Sequence, residues 1–63
     1  MITFNGKKVE KYSTLENLIK ENGYSLNNVV VLLNEKIVKK SEWKKIKLKK
    51  GDVIEVVGFV GGG

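Results

Sequence analysis

The residues best suited to chemistry stand at the end of the chain, where Gly61, Gly62 and Gly63 lead to a terminal carboxylate. Glycine has no side chain to collide with the walls of a narrow channel, and its backbone adopts angles that other residues avoid. Three consecutive glycines therefore form a thin, flexible tail that could carry the Gly63 carboxylate into the active site of another protein. The alternative is a frayed terminus without function, which is common at chain ends.

The rest of the composition excludes most other catalytic chemistry. The chain has 63 residues with no cysteine and no histidine, which removes thiolate nucleophiles, the usual zinc ligands and the usual general base. A domain of this size buries only about 60% of the surface that its unfolded chain exposes, so a deep catalytic cavity is not expected. Asp52 and Glu55 suit a turn and a surface better than a catalytic pair. We expect no metal site and no bound cofactor.

The sequence also lacks the signals of a membrane or secreted protein. It contains no apolar run of about 20 residues and no basic start followed by an apolar segment. We therefore expect a cytoplasmic location and no membrane partner.

A lysine cluster between Lys39 and Lys50 allows two interpretations. It places seven lysines around Trp43, Ile46 and Leu48, and basic groups with an aromatic residue could bind nucleic acid. The interpretation we prefer is a segment whose apolar residues face the core while its lysines face water, with no specific nucleic-acid partner. Lysines that attract an acidic protein surface are an intermediate case.

The first half of the chain predicts a hairpin followed by a helix. Met1–Asn5 alternates apolar and polar residues, Asn5-Gly6 suits a tight turn, and Lys7–Tyr12 is a returning edge strand. A helix is expected over residues 14–22, with Ser13 and Glu16 forming a capping box and Gly23 ending it. Its apolar face consists of Leu15, Leu18 and Ile19.

The second half predicts three more strands and a turn of helix. Val29–Leu33 is apolar without alternation, as in a central strand covered on both faces, and Val53–Val60 is the last strand. The smaller elements are a turn at Asn34-Glu35, a short strand at Ile37-Val38, one helical turn over Ser41–Lys44 that packs Trp43, an extended piece at Ile46 and Leu48, and a turn at Lys50–Asp52.

This order of elements indicates an α+β domain of the β-grasp kind, in which one main helix covers one face of a mixed sheet of four to five strands. The first and last strands are expected to lie side by side and parallel at the centre. We assign residues 1–60 to this domain and residues 61–63 to a flexible tail.

One helix cannot cover both faces of the sheet, so an apolar patch is predicted on the other face. Side chains alternate along a strand, so if Ile54 and Val56 meet the helix, Val57 and Phe59 face away from it. Part of Val29–Leu33 must face the same way. Such patches commonly mark partner surfaces, although Trp43 or a loop could instead fold over this one as a minor core.

Four segments together resemble the ThiS family of sulfur carriers. They are Asn5-Gly6 near the start, Trp43 before a lysine-rich piece, Lys50-Gly51-Asp52-Val53-Ile54-Glu55 leading into the last strand, and Phe59-Val60-Gly61-Gly62-Gly63 at the end. The resemblance extends over the whole chain. The most specific element is the combination of Gly-Asp-x-Ile-Glu with the terminal Phe-Val-Gly-Gly-Gly.

The resemblance implies a carrier without enzymatic activity of its own. A ThiF-type adenylyltransferase using ATP and magnesium would convert the Gly63 carboxylate to an acyl-adenylate. Sulfur from a donor of the cysteine desulfurase type would then give a thiocarboxylate, which a ThiG-type thiazole synthase would use to build the thiazole of thiamine. Gly61 and Gly62 would thread the enzyme channel, and the residues expected to dock the partner are Val57, Phe59, Val60, Val30 and Leu32.

Two other classes of function remain open. A carrier for another pathway, such as one resembling the small subunit of molybdopterin synthase, would use the same chemistry at Gly63. A β-grasp interaction module with an inert tail would not depend on a free carboxylate at all.

Overall fold

The computed structural model of the chain describes residues 1–58 and consists of one sheet and one α-helix. The five strands are β1 (Ile2–Phe4), β2 (Lys7–Val9), β3 (Val29–Leu33), β4 (Lys36–Val38) and β5 (Val53–Gly58), and the helix α1 spans Leu15–Glu21. A short 3₁₀ turn, Lys40–Glu42, follows β4.

The sheet has the mixed topology that the sequence predicts. Its strand order is β2-β1-β5-β3-β4. The first and last strands pair in parallel near its centre, with Thr3 opposite Val53 and Phe4 opposite Ile54, and the other neighbours are antiparallel. The predicted β-grasp architecture is thereby confirmed.

Both hairpins turn through residues with positive φ. Asn5 and Gly6 have φ of 47° and 83°, and Asn34 and Glu35 have φ of 52° and 70°. Two successive positive φ angles define the turn that matches the right-handed twist of paired strands. The two predicted turns are confirmed. The returning strand β2 ends at Val9 rather than Tyr12, because Val9 already pairs with Ile2, the first residue of β1.

The helix begins one residue later than the predicted capping box requires. Thr14, not Ser13, is the N-cap, and its side-chain oxygen accepts the Asn17 amide hydrogen at 3.2 Å. Glu16 forms an ion pair with Lys20 at 3.5 Å instead of reaching back. The capping box at Ser13 and Glu16 was therefore wrong, whereas Gly23, with φ of 80°, stands directly after the C-cap as predicted.

Hydrogen bonds to carbonyls that are distant in the sequence fix the start of the helix. The first amides of a helix have no partner within it. Here the Leu15 amide donates to the Ile46 carbonyl at 3.0 Å, and the Glu16 amide donates to the Trp43 carbonyl at 3.2 Å. The carbonyl of Ser13 accepts the Leu48 amide hydrogen at 2.9 Å. The Ile46–Leu48 segment, expected as an extended piece, contributes one isolated bridge between Lys47 and Thr14.

A single apolar core lies between the helix and one face of the sheet. Trp43 is only 2% exposed and belongs to this core, and its indole nitrogen donates to the Val38 carbonyl at 3.0 Å. The other buried members are Ile2, Phe4, Leu15, Leu18, Ile19, Val31, Leu48, Ile54 and Val56. The predicted packing of Trp43 against the core is confirmed.

Among residues 1–58, no helical segment is long and apolar enough to cross a bilayer.

Candidate functional site

The last strand separates a buried face from an exposed one. Ile54 and Val56 are buried in the core, whereas Val57 is 55% exposed. The alternation of side chains along an extended strand explains the difference. The predicted outward orientation of Val57 is confirmed. Phe59 and Val60, expected to continue this strand, lie outside the described residues, as do Gly61, Gly62 and Gly63.

The neighbouring strand β3 contributes two apolar residues to the same exposed face. Val31 is fully buried, whereas Val30 and Leu32 on either side of it are only half-buried and do not belong to the core. Val30 lies opposite Val57 in the antiparallel register, and Leu32 lies opposite Glu55. The structure thus brings Val30, Leu32 and Val57 together. Within residues 1–58 the expectation that both faces of β3 are covered was wrong, because every second residue points away from the core that these residues form.

Ile37 extends this face, and the sequence interpretation missed it. It lies opposite Leu32 in the pairing of β3 with β4 and is 74% exposed. Its neighbour Val38 packs against the core. The available signal was the alternation itself, since Val38 facing inward requires Ile37 to face outward. A two-residue strand was too short to assign the faces before the register was known.

We call Val30, Leu32, Ile37 and Val57 the outer face. Trp43 does not cover it, because Trp43 packs in the core on the helix side of the sheet. The alternative in which Trp43 forms a minor core over this face was therefore wrong. Exposed apolar side chains on adjoining strands form a contiguous surface, and such surfaces commonly serve as interaction sites.

The exposed charges of the domain are unevenly distributed along the chain. Glu55 is exposed beside Leu32 on the neighbouring strand. From Lys36 to Lys50 the chain carries eight lysines and one acidic residue, so this segment has a formal charge of +7 and the remainder −2, giving +5 in total. All eight lysines are exposed, while Trp43 and Leu48 are buried and Ile46 is half-buried. This is the distribution that the preferred interpretation of the lysine cluster predicts, and the indole is not free to stack on a base.

The described residues offer little for catalysis within the domain itself. A shallow concavity open to solvent is lined by Phe4, Asn5, Lys7, Asn22 and Tyr24, with no carboxylate among them. No group of three or more acidic side chains that could hold a metal ion occurs between residues 1 and 58. What this part of the molecule presents is a surface rather than a cleft.

Fold and site define the class of protein as a ubiquitin-like β-grasp domain with an apolar sheet face that includes β5, the last described strand. The sequence model of the ThiS family matches residues 2–63. The chain belongs to the ThiS family.

Individual relatives agree with this assignment. The chain is 37% identical to the sulfur carrier protein ThiS of Bacillus subtilis strain 168, over the full length of both chains. The crystal structure of the thiamine biosynthesis protein ThiS from Geobacter metallireducens superposes with a TM-score of 0.76 at 27% identity, covering 98% of this chain and 97% of that one. An NMR structure of a thiamine biosynthesis protein from the same organism gives a TM-score of 0.76 at 25% identity, covering 98% of this chain and 86% of that one.

Proposed function

We propose that this chain is a sulfur carrier in thiamine biosynthesis, and that the reacting group is the carboxylate of Gly63. Membership of the ThiS family and the relative named a sulfur carrier support the proposal. The structural observation that carries it is the position of Val57, which is exposed on the strand that leads directly into Phe59-Val60-Gly61-Gly62-Gly63. Docking through the outer face would therefore bring the partner close to the residues that follow β5 in the sequence.

The first chemical step is activation of the carboxylate by a partner enzyme. A carboxylate is a poor electrophile, so a ThiF-type adenylyltransferase with magnesium and ATP supplies a leaving group. The Gly63 carboxylate oxygen attacks the α-phosphorus of ATP, pyrophosphate leaves, and an acyl-adenylate forms. The carrier supplies no acid or base group. Its contribution to the reaction is to orient the Gly63 carboxylate in the active site of the partner.

The second step replaces AMP by sulfur. A persulfide from a donor of the cysteine desulfurase type attacks the acyl carbon, and AMP departs. A thiol then attacks the donor's sulfur in the resulting acyl disulfide, forms a disulfide with the donor and releases the Gly63 thiocarboxylate. A ThiG-type thiazole synthase takes its sulfur from this group. The structural relatives named for thiamine biosynthesis favour this product over the molybdopterin alternative.

The tail and the outer face have separate tasks in this scheme. Gly61 and Gly62 pass through a channel too narrow for side chains, because glycine alone adds no bulk beyond the backbone. Val30, Leu32, Ile37 and Val57 hold the domain against the partner, together with Phe59 and Val60. Burial of exposed apolar side chains drives the association, at about 25 cal/mol per Å² removed from water.

Pyrophosphate release tests the proposal at its first step. The purified chain is mixed with a ThiF-type enzyme of the same organism, magnesium and ATP, and pyrophosphate is measured with and without the carrier. We expect carrier-dependent release that disappears when one alanine is added after Gly63, because the reacting carboxylate is then displaced. Equal release from the extended chain would refute a role for the Gly63 carboxylate.

A further inference from the structure

The side chain of Asn5 continues the pairing of β1 with β5 beyond the point where β1 ends. The main-chain amides of Thr3 and Asn5 donate to the carbonyls of Asp52 and Ile54, each at 2.9 Å. In a parallel ladder the next bond would run from the Val56 amide to the carbonyl of residue 5. At Asn5 the main chain turns away with φ of 47°, and its side-chain oxygen accepts the Val56 amide hydrogen instead, at 2.8 Å.

A second hydrogen bond holds the Asn5 amide group in this orientation. Its nitrogen donates to the Tyr24 hydroxyl at 3.0 Å. The Tyr24 ring packs edge-on against Phe4, with 6.1 Å between the ring centroids. Asparagine suits the position because it tolerates positive φ and offers both an acceptor and a donor.

The hydrogen bond between the Val56 amide and the Asn5 side chain lies just beyond the point where β5 stops pairing with β1 and continues to pair with β3. Val56 also pairs with Val31 on β3, and beyond it Val57 and Gly58 pair with Val30 and Val29 on β3. On the β1 side, the described residues give Val56 the Asn5 side chain as its partner. Five residues follow Gly58, and the last of them, Gly63, carries the reacting carboxylate. The Asn5 side chain therefore holds β5 two residues before the end of the described part of the chain.

We propose that Asn5 is a positioning residue that fixes the exit direction of β5 and, through it, the placement of the Gly63 carboxylate relative to the docked outer face. This inference rests on the proposed carrier function. Without the Asn5 bond, β5 is held at Val56 from one side only and samples several exit directions. Docking through the outer face persists, so KM for the carrier changes little. Fewer docked complexes place the carboxylate correctly, so kcat falls.

Asn34 provides a matched control at the other end of the same strand. It also has positive φ, at 52°, and its side-chain oxygen accepts the Val53 amide hydrogen at 2.9 Å. Asn34 thus does at the entry of β5 what Asn5 does near its exit. Glycine at either position keeps the turn and removes one side-chain acceptor. Asn5→Asp keeps both the acceptor oxygen and the tolerance of positive φ, and it serves as the conservative variant.

The test compares N5G, N5D and N34G with the wild-type chain in steady-state activation by a ThiF-type enzyme, at a temperature where all four are folded. We expect N5G to lower kcat on the order of tenfold with KM within about twofold, N5D to restore most of kcat, and N34G to resemble the wild type. Equal kcat for N5G and N34G would overturn the positioning role. So would a loss in N5G that appears only in KM.

Amide hydrogen exchange separates this inference from the proposed function. We expect faster exchange at Val56, Val57 and Gly58 in N5G than in N34G, and unchanged exchange there would overturn the inference by itself. If the wild-type chain is not activated while exchange responds as expected, the carrier proposal fails and the catalytic part of the inference fails with it. If the wild type is activated and the variants do not differ, only the inference fails.

Discussion

Val30 on β3 lies opposite Val57 on β5, and both side chains face away from the helix. The two residues belong to segments that are far apart in the sequence, and the sheet makes them neighbours. Leu32 lies two residues after Val30 on β3 and faces the same way. Ile37 on β4 lies opposite Leu32. The result is one apolar surface on three strands, one of which is β5, the strand that leads toward the carboxyl terminus.

Replacing Val57 by serine should weaken partner binding without unfolding the domain. About half of the side chain is exposed in the free protein, so removing it forfeits about 1 kcal/mol of burial in the complex, or roughly fivefold in Kd. The measurement is isothermal titration calorimetry with a ThiF-type enzyme.

Val53→Ser is the control for this measurement. Val53 is 41% exposed at the start of the same strand. By alternation its side chain points to the same side of the sheet as that of Val57, but it lies about 13 Å away along β5 and outside the four residues that define the outer face. It carries the same chemical change in a comparable strand environment. A Kd that rises equally in both variants would argue against specific docking through the outer face.

Replacing Gly62 by valine should abolish activation while leaving the fold intact. A branched side chain cannot follow the backbone through a channel that admits only glycine, so pyrophosphate release should fall to the level without carrier. Gly58→Ala is the comparison, because a Cβ at Gly58 would meet the Val29 side chain at an ordinary 3.9 Å. Normal activation of Gly62→Val would show that the tail does not thread a narrow channel.

The helix cap gives a prediction about stability alone. Thr14→Ala should lower the free energy of unfolding by about 1 kcal/mol, because the Asn17 amide loses its acceptor. Ser13→Ala should change it by less than about 0.5 kcal/mol, since the Ser13 hydroxyl accepts only from the exposed Asn17 side chain. Urea unfolding followed by Trp43 fluorescence measures both. The reverse order of the two losses would restore Ser13 as the cap.

Local patterns predicted much of the fold because several of its decisive residues act locally. Asn5-Gly6 specifies its turn through positive φ, and Gly23 ends the helix in the same way. Alternation in β5 placed Val57 outward before any pairing was known. Four short segments, above all Gly-Asp-x-Ile-Glu together with the terminal Phe-Val-Gly-Gly-Gly, were sufficient to indicate the family.

Other features depended on contacts between distant residues. Ser13 and Thr14 are both good caps by type. Only the hydrogen bonds to the Ile46 and Trp43 carbonyls and from the Leu48 amide select Thr14. Ile37 needed the register of β3 with β4 before its face could be assigned. The bond from Val56 to Asn5 spans 51 residues, and no local pattern predicts it.

The docking roles, the domain boundary at residue 60 and the expected cytoplasmic location stay predictions. They concern a partner, a tail and a compartment, and each requires an experiment on the whole chain.

Intact-mass spectrometry of the chain after incubation with a ThiF-type enzyme, magnesium-ATP and sulfide tests the central claim most directly. We predict a mass gain equal to replacing one oxygen by one sulfur, located at Gly63 by fragmentation and absent from a chain extended by one residue. An unmodified mass with an enzyme that converts its own carrier in parallel, repeated with the other activating enzymes of the same organism, would contradict the claim and favour an interaction module with an inert tail.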